Sequence, residues 1–148
     1  MKQLFSLFIL AIFATATSFA AEVELTSFKA VSADADDYIS YVAEQGKSAT
    51  PPAVFNGVIR VYQKGGLFTV NAKNGAKITE IVLGSSMATS VTYSVDGAAE
   101  SAANAIKANA RLTVNKLSAA SVQFTCKGTS KTARLYVNYL KVTYETPG

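Results

Sequence analysis

The chain has 148 residues, no histidine, one cysteine and a formal net charge of +4. The absence of histidine excludes Ser-His-Asp and Cys-His catalytic arrangements and histidine-ligated metal sites. The single cysteine excludes an intrachain disulfide framework, and the basic residues are spread out rather than clustered as nucleic-acid binding favours. The composition therefore favours a binding or structural domain over an enzyme and predicts no nucleic-acid partner.

The first twenty residues have the layout of a secretory signal peptide. Lys2 provides a positively charged N-terminal region, and an apolar run covers residues 4–14. Ser18-Phe19-Ala20, with small residues at its first and last positions, provides the cleavage site. The apolar run is too short to span a bilayer comfortably. We predict a leader over residues 1–20 and a single secreted or periplasmic domain over residues 21–148, with no membrane span. Without Lys2, thirteen basic residues face ten acidic ones, a net charge of +3.

The first part of this domain contains extended segments around a polar loop. Residues 22–26 alternate polar and apolar side chains, which predicts a first strand. Residues 32–48 are polar and irregular, which predicts a long loop with room for a short strand at residues 38–42. Thr50-Pro51-Pro52 then ends any regular element, since proline cannot donate a hydrogen bond.

Glycine-containing turns separate the next β-rich runs. Residues 58–62 and 67–70 flank Lys64-Gly65-Gly66, which predicts a hairpin. Asn74-Gly75 marks a second tight turn before residues 78–83. Apolar side chains on both faces of that last run predict a central, well-buried strand.

One alanine-rich segment interrupts the strands of the C-terminal half. A strand over residues 90–95 ends at a turn, Asp96-Gly97. Residues 98–110 favour a helix by propensity, but Ile106 is their only large apolar residue, so a short surface helix and a loop are both compatible. Regular alternation then predicts further strands at residues 111–115, 120–126 and 134–137.

The last run changes the parity of its apolar residues. They are odd-numbered at Leu135 and Val137 but even-numbered from Leu140 to Tyr144. Side chains alternate strictly in a regular strand, so this change predicts a bulge near residues 138–139. We expect one long, bent C-terminal strand in the middle of a sheet.

These elements favour an all-β fold. Eight or more short strands, regular turns and little helix are typical of an antiparallel β-sandwich of the jelly-roll type. A closed barrel is the structural alternative.

Several runs resemble a module found in secreted proteins of Bacteroidetes. The similar blocks are NGVIRVY (56–62), LFTV (67–70), GAKITEIVL (75–83), SVQFT (121–125) and LKVTY (140–144). The chain departs from that module in lacking the aromatic residue, often tryptophan, that precedes the SVQFT strand. The resemblance implies an extracellular, jelly-roll-like β-sandwich with no established chemistry. By analogy with jelly-roll modules, it also implies binding to glycans or other surface components.

Arginine and tyrosine side chains form the candidate ligand site. Tyrosine combines a flat apolar face with a hydroxyl, which suits sugar rings and protein interfaces. We predict a ligand-binding surface from Arg60, Tyr62, Tyr93, Arg134 and Tyr136. The alternative is that these tyrosines pair across strands and only stabilise the sheet.

An acidic cluster gives a candidate metal site. Asp34, Asp36 and Asp37 could hold a structural calcium ion, which prefers carboxylate oxygens, or form a plain solvated loop. No other cofactor is predicted. Cys126 shares parity with Phe124, which predicts a buried, unreactive thiol.

Three functional hypotheses follow from the sequence. The first is a secreted, non-enzymatic binding module that recognises a glycan or a cell-surface component. The alternative is a structural subunit of a surface layer, fibre or matrix with no small-molecule ligand, joined through exposed sheet edges. The third is a hydrolase with paired carboxylates, in which Asp96 would come close to Glu80 or Glu100.

Overall fold

The computed structural model describes residues 19–147, so all of the predicted leader except Phe19 and Ala20 lies outside the described residues. Within this range the chain forms twelve strands and no helix, and therefore no helix that could cross a membrane. The strands are β1 Phe19–Leu25, β2 Ser32–Asp34, β3 Ile39–Glu44, β4 Ala53–Phe55, β5 Val58–Val61, β6 Leu67–Ala72, β7 Lys77–Ser85, β8 Thr89–Val95, β9 Asn104–Ile106, β10 Ala110–Val114, β11 Ser121–Cys126 and β12 Leu135–Thr146.

The strands form two six-stranded antiparallel sheets. Sheet A has the order β10-β7-β12-β5-β4, with β1 paired to the C-terminal part of β12. Sheet B has the order β2-β3-β6-β11-β8-β9. The two apolar faces share one core, to which sheet B contributes the fully buried Phe68 and Phe124 and sheet A contributes Ile59 and Leu83. The architecture is the predicted antiparallel β-sandwich, and the closed-barrel alternative is wrong.

β12 is the central strand of sheet A and carries the predicted bulge. It has β7 on one side, and β5 and β1 follow each other along its other side. Its register with β7 shifts between Val137 and Tyr139, so Asn138 is the extra residue. The apolar residues before and after this insertion are all buried: Leu135, Val137, Leu140, Val142 and Tyr144.

β7 contains a second irregularity, which the sequence did not predict. Thr79 is the extra residue in its register with β12. The insertion allows Ile78 and Ile81, which have opposite parity, both to be fully buried. The prediction of a central, well-buried strand is confirmed. Ile78 and Ile81 are buried in the same core rather than on opposite faces, because the bulge shifts the alternation of the strand.

The predicted hairpin between residues 58–62 and 67–70 is wrong. β5 lies in sheet A and β6 in sheet B, so the loop between them crosses from one sheet to the other. This loop binds to the end of β11, where the Gly65 N–H donates to the carbonyl of Cys126 at 3.0 Å. Apolar alternation in two successive strands is the same whether they pair with each other or face each other across a core.

β5 forms its hairpin with the preceding strand, β4, through Asn56-Gly57. These two residues have φ values of 51° and 79°, the left-handed pair typical of a tight hairpin turn. Positive φ values also occur in pairs at Asn74-Gly75 and at Asp96-Gly97. The two turns predicted at those positions are therefore confirmed.

Two segments differ from expectation in their strand content. Residues 32–48 hold β2 and β3, because Ile39 and Tyr41 alternate toward the core and are buried. Residues 98–110 form an extended loop with the short strand β9, in which Ile106 is buried. The helical option for that segment is wrong, since one apolar residue cannot provide a helix with a buried face.

A buried tyrosine ties β12 to the loop between β2 and β3. The hydroxyl of Tyr144 donates to Oδ2 of Asp36 at 2.5 Å. Oδ1 of Asp36 accepts hydrogen bonds from the amides of Tyr38 and Ile39, both at 2.8 Å. Burial, followed by the hydrogen bond to Asp36, raises the pKa of Tyr144 to about 12.

We expect the free energy of unfolding to fall as the pH rises from 10 towards 12. Tyr144 stays neutral in the fold over this range, whereas the unfolded chain loses the proton near the ordinary pKa of 10.0, so the stabilisation is complete below pH 10 and is lost through pH 12. Chemical denaturation of the protein and of Tyr144→Phe checks this. The variant should be less stable at neutral pH by about 1 kcal/mol and should show a shallower alkaline fall. Identical alkaline slopes would contradict the assignment.

Candidate functional site

Four of the five predicted ligand-binding residues lie together on the outer face of sheet A. β5 and β12 are antiparallel neighbours, and Arg60 lies directly opposite Tyr136. The residues on either side of Arg60 are fully buried, so the alternation of the strand directs Arg60 outward. Tyr62 follows the end of β5, and Arg134 precedes the start of β12. The fold therefore places Arg60 and Tyr62 beside Tyr136 and Arg134.

Their side chains stack on one another. The guanidinium carbon of Arg60 lies 3.9 Å from the ring centroid of Phe55 and 5.1 Å from that of Tyr136. The guanidinium carbon of Arg134 lies 4.5 Å from the ring centroid of Tyr62. Each such contact at an exposed site contributes about 0.5–1 kcal/mol. These five residues, Phe55, Arg60, Tyr62, Arg134 and Tyr136, are called the arginine–tyrosine patch below.

Hydrogen bonds fix Arg134 further. Its Nε donates to Oε1 of Gln63 at 2.7 Å, and its Nη1 donates to the hydroxyl of Tyr136 at 3.3 Å. A guanidinium has five N–H donors in a planar fork. Most donors of Arg134 therefore remain available to a ligand, in an orientation that the protein already sets.

The arginine–tyrosine patch is positively charged. Among residues 19–147, the ion pairs join Lys73 to Asp34 and Lys127 to Glu100. Neither arginine of the patch faces a carboxylate within that range. The patch therefore offers uncompensated positive charge and hydrogen-bond donors to groups that accept hydrogen bonds.

Phe55 belongs to the patch but was not predicted from the sequence. It ends the edge strand β4 and is 45% exposed. Its register partner is Val58, across the Asn56-Gly57 turn. The Asn-Gly pair was the available signal, because it marks a hairpin that brings the aromatic ring beside the next strand.

The structure does not bring Tyr93 to this patch. Tyr93 lies on β8 in sheet B, opposite Phe124, with the two ring centroids 6.1 Å apart. It shares the parity of Val91, which is fully buried, so its ring packs against the core. The interpretation of Tyr93 as a residue on a polar strand face overlooked this shared parity.

The three aspartates of the predicted calcium site have separate contacts. Asp34 pairs with Lys73 at 2.8 Å, and Asp36 uses both oxygens to fix the loop and Tyr144. In residues 19–147, no group of three or more histidine, cysteine, aspartate or glutamate residues is arranged to hold a metal ion. The arrangement of Asp34, Asp36 and Asp37 therefore gives the calcium hypothesis no support.

Two carboxylates of the hydrolase alternative have structural contacts. Oδ1 of Asp96 accepts hydrogen bonds from the amides of Ala120 and Ser121, at 2.9 and 2.8 Å. Glu100 pairs with Lys127 at 3.2 Å. These contacts anchor the start of β11 and the loop after β8, so the hydrolase alternative gains no support from them.

A cleft of about 430 Å³ lies at the end of the sandwich where β11 finishes. Gln123 and Thr125, whose side chains face away from the core, contribute to its lining, and so do three lysines. The cleft could not be predicted from the sequence, because its residues come from separate segments that only the fold brings together. This is called the sheet B cleft below, and its charged lining residues are Lys47, Lys64, Glu100 and Lys127.

Solved structures include β-sandwiches similar to this chain. A family 32 carbohydrate-binding module of C. perfringens NanJ, in complex with galactose, has a TM-score of 0.50 at 14% identity, covering 83% of this chain and 99% of that chain. A family 29 carbohydrate-binding module from Piromyces equi has a TM-score of 0.45 at 9% identity, with coverages of 86% and 91%. Discoidin II from Dictyostelium discoideum has a TM-score of 0.40 at 14% identity, with coverages of 93% and 61%.

The first of these likenesses shows that the two proteins share a β-sandwich fold. No protein-family model matches the chain, and no curated protein matches it.

Cys126 is fully buried, as its parity predicted, and its Sγ lies 3.6 Å from both the Thr89 hydroxyl and the Ala133 carbonyl. We expect the folded protein to react with a thiol reagent such as DTNB at least about 1,000-fold more slowly than the unfolded protein, because reaction requires opening of the core. The colour change in native buffer and in denaturant measures both rates. Rapid reaction in native buffer would show that the thiol is accessible.

Proposed function

We propose that this protein is a non-enzymatic carbohydrate-binding module whose contact surface is the arginine–tyrosine patch. The observation that carries the proposal is the stacking of two arginines among three aromatic rings on one sheet face. Neither arginine faces a carboxylate in the described part of the chain. The patch therefore has donors and charge that the protein itself does not use.

The chemistry of the patch suits a saccharide. Hydroxyl and ring oxygens of a sugar accept hydrogen bonds, and the guanidinium fork of Arg134 has donors left after its bonds to Gln63 and Tyr136. Arg60 and Tyr136 lie on paired strands, so little conformational freedom is lost when a ligand binds. Tyrosine adds apolar ring surface and a hydroxyl on the same side chain.

Three further observations support a non-enzymatic binding role outside the cytoplasm. The fold is shared with a NanJ module that was solved in complex with galactose, which supports a sugar as the ligand class. The chain has no histidine, the commonest acid–base catalyst, which supports a non-enzymatic role. The signal-peptide layout of residues 1–20 supports a secreted or periplasmic location.

A structural role is the second candidate, and the exposed edge of sheet A favours it. Phe55, on the edge strand β4, is 45% exposed. Edge strands with exposed aromatic residues can pair with a second chain. Light scattering on the purified protein distinguishes this role, since a monomer at high concentration contradicts it.

We expect Tyr62→Ala/Tyr136→Ala to reduce glycan affinity by about tenfold or more, because it removes two rings and both tyrosine hydroxyls and frees Arg134 from its stacked position. A glycan array identifies the ligand, and calorimetry with the best ligand gives the affinities. Binding should be the same with calcium and with EDTA, since Asp36 is engaged by Tyr144.

The matched control is Arg111→Ala, because Arg111 also stacks on a tyrosine, with its guanidinium carbon 3.6 Å from the ring centroid of Tyr139. Arg111 lies on β10, on the opposite side of sheet A from β5. Its loss should change the affinity by less than about twofold. Full binding by the tyrosine double variant, with thermal unfolding showing that it is folded, would rule out this surface.

A further inference from the structure

We propose that the sheet B cleft is a second binding site, distinct from the arginine–tyrosine patch, and that it takes an acidic saccharide through its carboxylate or sulfate group. The two surfaces lie on different sheets, so this site does not depend on the first. The inference rests on the charge of the cleft, its polar floor and the rigidity of the loops that carry its lysines.

The cleft has an excess of positive charge. Lys47, Lys64 and Lys127 line it together with one carboxylate, Glu100. Glu100 pairs with Lys127 at 3.2 Å. Lys47 and Lys64 have no carboxylate partner among residues 19–147. Two ammonium groups therefore remain for an anionic ligand, and such charge-assisted hydrogen bonds are among the stronger ones.

The floor of the cleft is polar and retains hydrogen-bonding capacity. Gln123 Nε2 donates to the Thr69 hydroxyl at 3.2 Å, which fixes the amide on the outer face of β11. Thr125, the next outward residue, lies opposite Thr92 on β8. The amide of Gln123 and the hydroxyl of Thr125 can both donate and accept hydrogen bonds, which suits a ligand rich in hydroxyl groups.

The backbone holds the two unpaired lysines close together. The N–H of Lys47 donates to the carbonyl of Gly65 at 3.2 Å, and the N–H of Lys64 donates to the carbonyl of Gly128 at 2.9 Å. Gly46 packs so closely that a Cβ there would lie 2.2 Å from the Gly65 carbonyl oxygen. The two loops are therefore locked against each other and against β11, so the lysine backbones are already in place for a ligand.

The size of the cleft and its charged and amide side chains favour a short acidic saccharide over a larger ligand. A cleft of about 430 Å³ lies at the lower end of the range for small-molecule sites. Among its lining residues, Leu67 is the large aliphatic side chain, and the others are mostly polar or glycine. Two point charges in a small cleft also differ from the extended basic face that nucleic acids need.

The test measures binding of the purified protein to three galactose-based probes: an oligogalacturonate, a sulfated carrageenan oligosaccharide and a neutral galactan oligosaccharide. We expect at least one acidic probe to bind about tenfold or more tightly than the neutral one, with an affinity that falls as salt is added. Binding of the oligogalacturonate identifies a carboxylate site, and binding of the carrageenan oligosaccharide identifies a sulfate site. Amide NMR shifts should change at Gly65, Gln123 and Thr125.

The variant Lys47→Gln/Lys64→Asn should weaken acidic-probe binding by about tenfold or more. Asn suits position 64, where φ is 63°. The matched control is Lys77→Gln/Lys116→Asn, which removes the same charge and also places Asn at a left-handed position, with φ 58° at Lys116. Both variants are first shown to be folded by thermal unfolding.

Four results would overturn the proposal. They are equal affinity for the neutral probe, equal loss of binding in both double variants, NMR shifts confined to the arginine–tyrosine patch, and no binding of either acidic probe.

Discussion

The bulge at Asn138 is the constraint on which the rest of sheet A depends. β12 is the central strand of this sheet and pairs with β1, β5 and β7. With strict alternation, burying Leu135 would direct Leu140 to solvent, and burying Leu140 would direct Tyr136 into the core. The extra residue removes this conflict: Leu135 and Leu140 are both buried, and Tyr136 points outward beside Arg60. The outer face of sheet A can therefore carry a polar, charged surface while the same strand supplies apolar residues to the core along most of its length.

The loop between β5 and β6 connects the two candidate surfaces. It crosses from sheet A to sheet B at one end of the sandwich. Tyr62 and Gln63, at its start, contact Arg134 in the arginine–tyrosine patch. Lys64 and Gly65, which follow directly, line the sheet B cleft. Both surfaces thus lie near the same end of the sandwich and share one short, hydrogen-bonded segment. The loop between β11 and β12 also crosses between the sheets at this end, since Lys127 at its start lines the sheet B cleft and Arg134 at its end belongs to the arginine–tyrosine patch.

Much of the fold was predictable because parity within a strand is a local property of the sequence. The alternation of β11 identified Cys126 as buried, and the parity change in β12 located its bulge within two residues. Which strands pair is a long-range property, and the β5–β6 hairpin was wrong because neighbours in sequence need not be neighbours in a sheet. The candidate sites show the same distinction between local and long-range properties. Local parity predicted that Arg60 and Tyr62 lie on one strand face, and the prediction for Tyr93 failed because its parity with Val91 was overlooked. The sheet B cleft could not be predicted, because it forms from contacts between distant segments.

The stacking in the arginine–tyrosine patch determines how such a surface can recognise a ligand. An open aromatic ring binds the apolar face of a sugar, but here a guanidinium lies over Tyr62 and another over Phe55. The ring faces in contact with arginine are closed to a sugar, so the proposed recognition would use N–H donors, tyrosine hydroxyls and the remaining ring surfaces. The strength of such hydrogen bonds depends on their direction, so they favour ligands whose acceptors have one fixed arrangement. On the proposal that the patch binds a sugar, it should therefore discriminate strongly among the hydroxyl configurations of different sugars.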